Sequence, residues 1–565
     1  MRILLAMLVA VSMLSGCCKH KETQPAGEEV ATATPTEDEE NLTVKATKFL
    51  KQYNDEYAAK DKANNLAYWK AANSGKAEDF DAYAATELAL KTFHSDAERY
   101  QTLLGLLEGR DKLSPLLQRS LDVAVLAFKG NQLPPEILKD LVDRATEIEK
   151  TFNTFRPTLD GQKMTNNDLL ESIAKETDSE KRKSMWLALK QVGGAVGPQL
   201  VELARKRNEA ALVMGYKNFW DMQIRLQEHD PDTLTALLDD LAKATDEPFR
   251  KMKLDLDGEL SRRFGVAPAD MRPWHYDNPF FQQAPPSEKV QLDTFYAQMK
   301  REDIVNLGGK FFKAIGLDAD DLIAASDFYE REGKDQHAFC ISIDRAGDVR
   351  MLLNVKPTAE WMDTMLHEAG HAVYDKYTDR DLPFNLRDAA HILTTEGIAM
   401  LFGALAKNPT WLIGYVGADA TQVAALTPAL LEQRQREQLI FARWTMVMFN
   451  FEKALYENPD QDLNSLWYDL VERFQLLQRP AGRDRADWAA KPHFTIAPVY
   501  YHNYVLGELF AAQLRGALAR RLGHAGPTST IDYVDRSEIG AFLDEMIFKP
   551  GRSLPWPEFV NVATG

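Results

Sequence analysis

The sequence predicts a mainly α protein, a large multi-helix array with one small antiparallel β-hairpin. Three observations carry that reading. Apolar residues recur at helical spacing from about Leu42 to Asp335, the period switches once to alternation over His337 to Val355, and helical spacing returns from Thr358 to the C-terminus. One-sided helices bury their stripes against one another, which favours an array over a sheet sandwich, and no fixed-period solenoid repeat is present. The 565 residues are 45% hydrophobic and 27% charged, globular values that exclude a disordered chain and a polytopic membrane protein. A formal charge of -17 repels phosphate backbones, so no nucleic-acid partner is expected. Of three cysteines, Cys17 and Cys18 lie at the extreme N-terminus, so the folded region keeps a single thiol, Cys340, and no internal disulfide.

In chain order, residues 1–16 read as a secretory signal, with Arg2 as the positive end and Ile3 to Leu14 as an apolar run too short for a permanent span. Leu14-Ser15-Gly16-Cys17 resembles the bacterial lipobox, which makes Cys17 the expected site of lipidation and first mature residue. Residues 17–41 lack apolar periodicity and are rich in Glu, Thr, Pro and Ala, as a flexible acidic tether is. The folded domain is expected over 42–565. Ser114-Pro115 and Asp230-Pro231 each offer an N-cap side chain and a proline at the first helical position, and Gly130 offers a stop to the first of these helices. Phe339, Ile341 and Ile343 alternate with Ala338, Cys340 and Ser342, the run 345–348 makes a turn, and Val349 to Val355 forms the second strand of a hairpin. Pro357 ends that strand. A helix follows from Thr358 through Asp375, and later breaks are expected at Pro383, Pro409, Pro428, Pro459 and Pro480.

Within the Thr358 helix stands His367-Glu368-Ala369-Gly370-His371. Histidines at i and i+4 share one helical face and can reach one tetrahedral ion, while Glu368 is rotated aside and left free to act on a water at that ion. Met362, Leu366, Ala369 and Val373 would anchor the helix in the core. Catalytic zinc takes a third protein ligand and keeps one position open. Asp375, Asp379, Asp381, Asp388, His391 and Glu396 are the downstream candidates. Glu396 is preferred because the chain has room to return to it on a new apolar helix. A carboxylate placed there for the helix dipole, and His391 as the ligand, remain the alternatives.

These residues resemble the angiotensin-converting-enzyme family of zinc peptidases, and more distantly the thimet-type oligopeptidases. Asp381-Leu382-Pro383, Leu386-Arg387 and Glu396 are similar to the family's stretch between its second and third ligands. His337-Ala338 resembles its substrate-pairing strand. Lys491-Pro492-His493 and Tyr501-His502-Asn503-Tyr504 resemble its Lys-x-His and Tyr-x-x-Tyr block, with one residue inserted. Weaker similarity at residues 49–54 and 203–210 extends the likeness over nearly all of 42–565. The resemblance implies a gluzincin-type fold of two lobes around a deep cleft, one catalytic Zn2+ on His367, His371 and Glu396, and Glu368 as general base. It further implies Tyr504 and His493 at the oxyanion, His337 and Ala338 on the substrate backbone, and Lys491 and Tyr501 on a free C-terminal carboxylate. His391 and His502 receive no role.

The function expected is a lipid-anchored zinc metallopeptidase of the bacterial cell envelope, extracytoplasmic and monomeric, that releases C-terminal dipeptides from short peptides. A thimet-type oligoendopeptidase is the enzymatic alternative. A catalytically inactive zinc- or peptide-binding lipoprotein is the other, and the intact Glu368 argues against it. The disulfide cysteines of the animal members are missing, and Asn503 stands where they carry an arginine that helps hold a chloride. Substrate preference and anion dependence are expected to differ accordingly.

Overall fold

The computed structural model describes residues 37–287 and 289–565, so the expected signal segment, Cys17 and Cys18 lie outside the described residues. The chain is mainly α. Helix α1, Glu37–Ser74, starts inside the stretch read as tether, with the acids Glu39 and Glu40 in its first turn at the positive end of its dipole. Helices α2 (Ala77–His94), α3 (Pro115–Lys129) and α4 (Pro135–Thr154) follow. The α3 start is as predicted, yet the Ser114 hydroxyl makes no cap bond, and Pro115 alone marks the first turn. A two-residue ladder, β1 (Thr158–Leu159) with β2 (Gln162–Lys163), was not foreseen, being too short for a period to register.

Helices α5 (Gln191–Val213) and α6 (Pro231–Phe264) come next, and Asp230 caps α6 by accepting the Thr233 N–H at 2.8 Å. The predicted hairpin is β3 (Phe339–Ser342) with β4 (Val349–Leu352), antiparallel, Phe339 facing Leu352 and Ser342 facing Val349. Both strands pack on helix α7, Ala359–Tyr377, which Thr358 caps through the Trp361 N–H. Helix α8 is Ile392–Gly403, α9 is Ala420–Glu457, α10 is Leu463–Gln475 and α11 is His502–Leu522. Pro428 does not break the chain as expected. It lies inside α9, whose burial from Leu430 through Tyr456 offsets the backbone bond the proline removes.

Burial divides the molecule into one large core, running from Ile148 to Ala563, and smaller clusters. The chief of these is Ala46, Leu50, Tyr53, Phe93, Leu103, Leu121 and Phe128 among the N-terminal helices. Polar latches join the two. Asn385 Nδ2 donates to the Ser120 carbonyl at 2.8 Å, its N–H donates to Asn54 Oδ1 at 3.1 Å, and Arg119 Nε donates to the Arg552 carbonyl at 3.1 Å. Among the described residues no helix is long and apolar enough to cross a membrane.

Candidate active site

Helices α7, α8 and α11 meet through glycines. A methyl group on Gly370 of α7 would come within 2.9 Å of Ala399 Cα in α8, and one on Gly507 of α11 would come within 2.9 Å of Glu396 Cβ and 3.0 Å of Gly397 N. Backbones that close bring residues of α7 and α8 to one point, with α11 packed beside them. His367 and His371 face each other on α7, ring centroids 5.0 Å apart. Glu396 Oε2, from α8, lies 3.7 Å from His367 Nε2 and 3.9 Å from His371 Nε2. One ligand atom from each of the three falls within 4.8 Å of the others. Glu396 is 3% exposed, and its Oε2 has no hydrogen-bond partner.

Electrostatics fit the same reading. Burial holds both imidazoles below their ordinary range, so their ring nitrogens keep lone pairs. His371 Nδ1 meets the Thr395 hydroxyl at 2.6 Å, which fixes that ring and, with Nδ1 carrying the proton, turns Nε2 toward Glu396. Two neutral imidazoles and a buried carboxylate oxygen without a partner form the N2O donor set that zinc takes in hydrolytic enzymes. Burial pushes the Glu368 carboxyl up to about 8, with Glu396 adding to the effect, and Glu396 itself up to about 7 against the opposing bond from Tyr500.

Of the other ligand candidates, His391 is excluded by its task as the N-cap of α8. Its Nδ1 accepts the Leu393 N–H at 3.1 Å and its Nε2 donates to the Gln227 carbonyl at 2.7 Å. Asp375, Asp379, Asp381 and Asp388 fall outside the ligand group.

Tyr504, on the first turn of α11, meets His493 Nε2 through its hydroxyl at 3.1 Å. Its ring lies 6.1 Å from Phe441 and 5.0 Å from Tyr501. His337 and Ala338 precede the ladder rather than open it, since β3 begins at Phe339. His337 is exposed, and its ring is 6.3 Å from that of His493. Lys491 is buried, not a solvated surface residue. Its Nζ donates to Gln282 Oε1 at 2.8 Å and lies 5.5 to 5.7 Å from the rings of Phe280, Trp444 and Tyr501. Among the described residues no carboxylate pairs with it, and burial pushes it down to about 7. Tyr501 Oη reaches the same Gln282 oxygen at 3.4 Å. Gln282 was not singled out from sequence, because its loop has no period and nothing local ties it to Lys491, 209 positions on.

The model of the Peptidase_M2 family, angiotensin-converting enzyme, matches residues 40–256 and 270–565. The chain belongs to the angiotensin-converting enzyme family. Among relatives, the angiotensin-converting enzyme of Mesocricetus auratus is 22% identical over 467 residues, which is 77% of this chain and 35% of that protein. That of Bos taurus is 26% identical over 205 residues, 35% of this chain and 15% of its own length. Oligoendopeptidase F of Lactococcus lactis subsp. cremoris is 24% identical over 223 residues, 38% of this chain and 35% of the relative. The chain thus spans about a third or less of each of these relatives. As an angiotensin-converting enzyme family member it carries the His367, Glu368, His371 and Glu396 set within the matched stretch.

Proposed function

We propose that the protein is a zinc metallopeptidase that hydrolyses short peptides and releases dipeptides from free C-termini. The observation that carries the reading is the convergence of His367, His371 and Glu396 beside Glu368, with the caged Lys491 ammonium as the nearby cation for a substrate carboxylate. His367, His371 and Glu396 would hold a zinc ion, which would supply the Lewis acidity that makes a water nucleophilic near neutral pH. Glu368 takes that water's proton on a carboxylate oxygen as the water adds to the scissile carbonyl, and delivers it to the departing amine nitrogen as the C–N bond breaks. Tyr504 Oη donates to the oxyanion, aided by His493. His337 and Ala338, immediately ahead of the edge strand β3, bind the extended substrate backbone. Lys491, Tyr501 and Gln282 receive the terminal carboxylate.

Amidating that carboxylate removes a charge-assisted bond of ~1.5 to 3 kcal/mol, about ten- to hundredfold in specificity. One short peptide in free and amidated forms, digested and read by mass spectrometry, tests this. Equal rates on both would move the reading to internal cleavage, which the similarity to oligoendopeptidase F favours as the second reading. Zinc binding with no cleavage of either form would leave the inactive binding lipoprotein.

The protein is further proposed to act as a monomer at an extracytoplasmic face of a bacterial envelope, anchored through lipid on Cys17. What supports this is the Leu14-Ser15-Gly16-Cys17 sequence. Cys17→Ser should abolish lipid labelling and processing at that residue, and normal labelling of the mutant would refute the anchor.

A further inference from the structure

We propose that Tyr500 is a positioning residue of the metal centre, holding one oxygen of Glu396 so that the other alone is presented to the ion. The inference rests on the reading of His367, His371 and Glu396 as ligands. A buried carboxylate has two equivalent oxygens and a free rotation, and can offer a metal either one or both. Here the two are made unequal. Tyr500 Oη donates a hydrogen bond to Glu396 Oε1, while Oε2 has no hydrogen-bond partner and faces both imidazoles. At 3% exposure Glu396 gains little from water, so the phenol decides which oxygen is free. Being neutral, it fixes the ligand without adding a charge that would oppose a cation.

The backbone ahead of Tyr500 is built to aim it. Val499 has φ 55°, a left-handed conformation that a β-branched residue adopts only under strain. Its N–H donates to the buried Glu452 Oε1 at 2.7 Å, and its carbonyl accepts from Gln227 Nε2 at 2.8 Å. The kink sends two consecutive tyrosines to different partners: Tyr501 to Gln282, and Tyr500 to Glu396 with its ring 5.1 Å from Tyr504.

A double-mutant cycle on the full chain tests the assignment, with zinc affinity measured by chelator competition for wild type, Tyr500→Phe, Glu396→Ala and the double mutant. Tyr500→Phe should weaken zinc binding ~10- to 100-fold, the usual effect of losing an outer partner of a ligand. In the Glu396→Ala background it should change the residual two-histidine affinity by less than ~2-fold, because it acts through Glu396. The cobalt-substituted protein should show an altered absorption spectrum in Tyr500→Phe. Unchanged affinity in Tyr500→Phe, or an equal loss in both backgrounds as a merely structural role would give, overturns the proposal. Wild type that binds no zinc overturns the ligand reading on which it rests, an outcome separate from the other two.

Discussion

Glu368 follows His367 by one residue and is 7% exposed, with no ligand duty in the His367, His371 and Glu396 group. Its removal therefore separates binding from chemistry. Glu368→Gln should retain zinc at wild-type stoichiometry and lose ~10²- to 10⁴-fold in hydrolysis, the range for a general base. Full activity in that mutant would sink the mechanism. Asn503 leads to a second expectation. Its Nδ2 donates to Gln227 Oε1 at 2.9 Å and it is fully buried, so the position offers an anion no charge where the family's animal members offer an arginine. A buried anion without a countercharge is costly. Hydrolysis should stay nearly constant as chloride is replaced by acetate at fixed ionic strength and pH, and a several-fold loss restored by millimolar chloride would show the contrary. The two histidines and Glu368 were legible in sequence because helical spacing alone puts them on adjoining faces. Glu396 was legible as a preference among six candidates. Gln282 and Tyr500 were not, since each owes its role to a partner more than a hundred residues away.

The elements matter through their crossings. Helices α7 and α8 bring His367, His371 and Glu396 together, with α11 packed against them, because Gly370, Gly397 and Gly507 let backbones touch, and Gly507 bears on Glu396 itself. Gly507→Ala places a methyl 2.9 Å from Glu396 Cβ, against a neighbour that cannot swing away. We expect a loss of ~1 to 3 kcal/mol in unfolding free energy, as overpacking gives, together with weaker zinc binding. Denaturant titration and zinc competition on the same variant check both, and an unchanged affinity would mean that α11 does not set the ligand's place. Gln227 ties the same helices at their starts, through His391 ahead of α8 and through His502 and Asn503 on α11. Helix starts of this kind were read correctly at α3 and α6, where proline and a capping type coincide. The crossings were not, because a glycine inside a helix carries no local mark of which neighbour it admits.

At the scale of the whole molecule, the mainly α class and the hairpin beside α7 followed from two periodicities, while the short β1–β2 ladder did not. The separation of a small N-terminal core from the large one did not, since burial partners leave no trace in spacing. Arg345 illustrates the join: it sits in the hairpin turn, yet donates to Tyr57 Oη of α1 at 3.0 Å and pairs with Asp61 at 3.2 Å. The caged Lys491 has a consequence that only the intact molecule can display. Burial pushes its ammonium down to about 7, so above that pH the free protein should carry an uncharged amine among Phe280, Trp444 and Tyr501. On the proposed role of Lys491 an arriving carboxylate would restore the charge, so capture of substrate should draw a hydrogen ion from the buffer, approaching one per peptide near pH 8 and few below pH 6. Affinity for free C-termini should accordingly hold steady below about pH 7 and decline above it. Titration calorimetry of a non-cleaved peptide at pH 8, in two buffers of unlike ionisation heat, reads this uptake directly. Coincident heats would mean that Lys491 is already an ammonium before the peptide arrives.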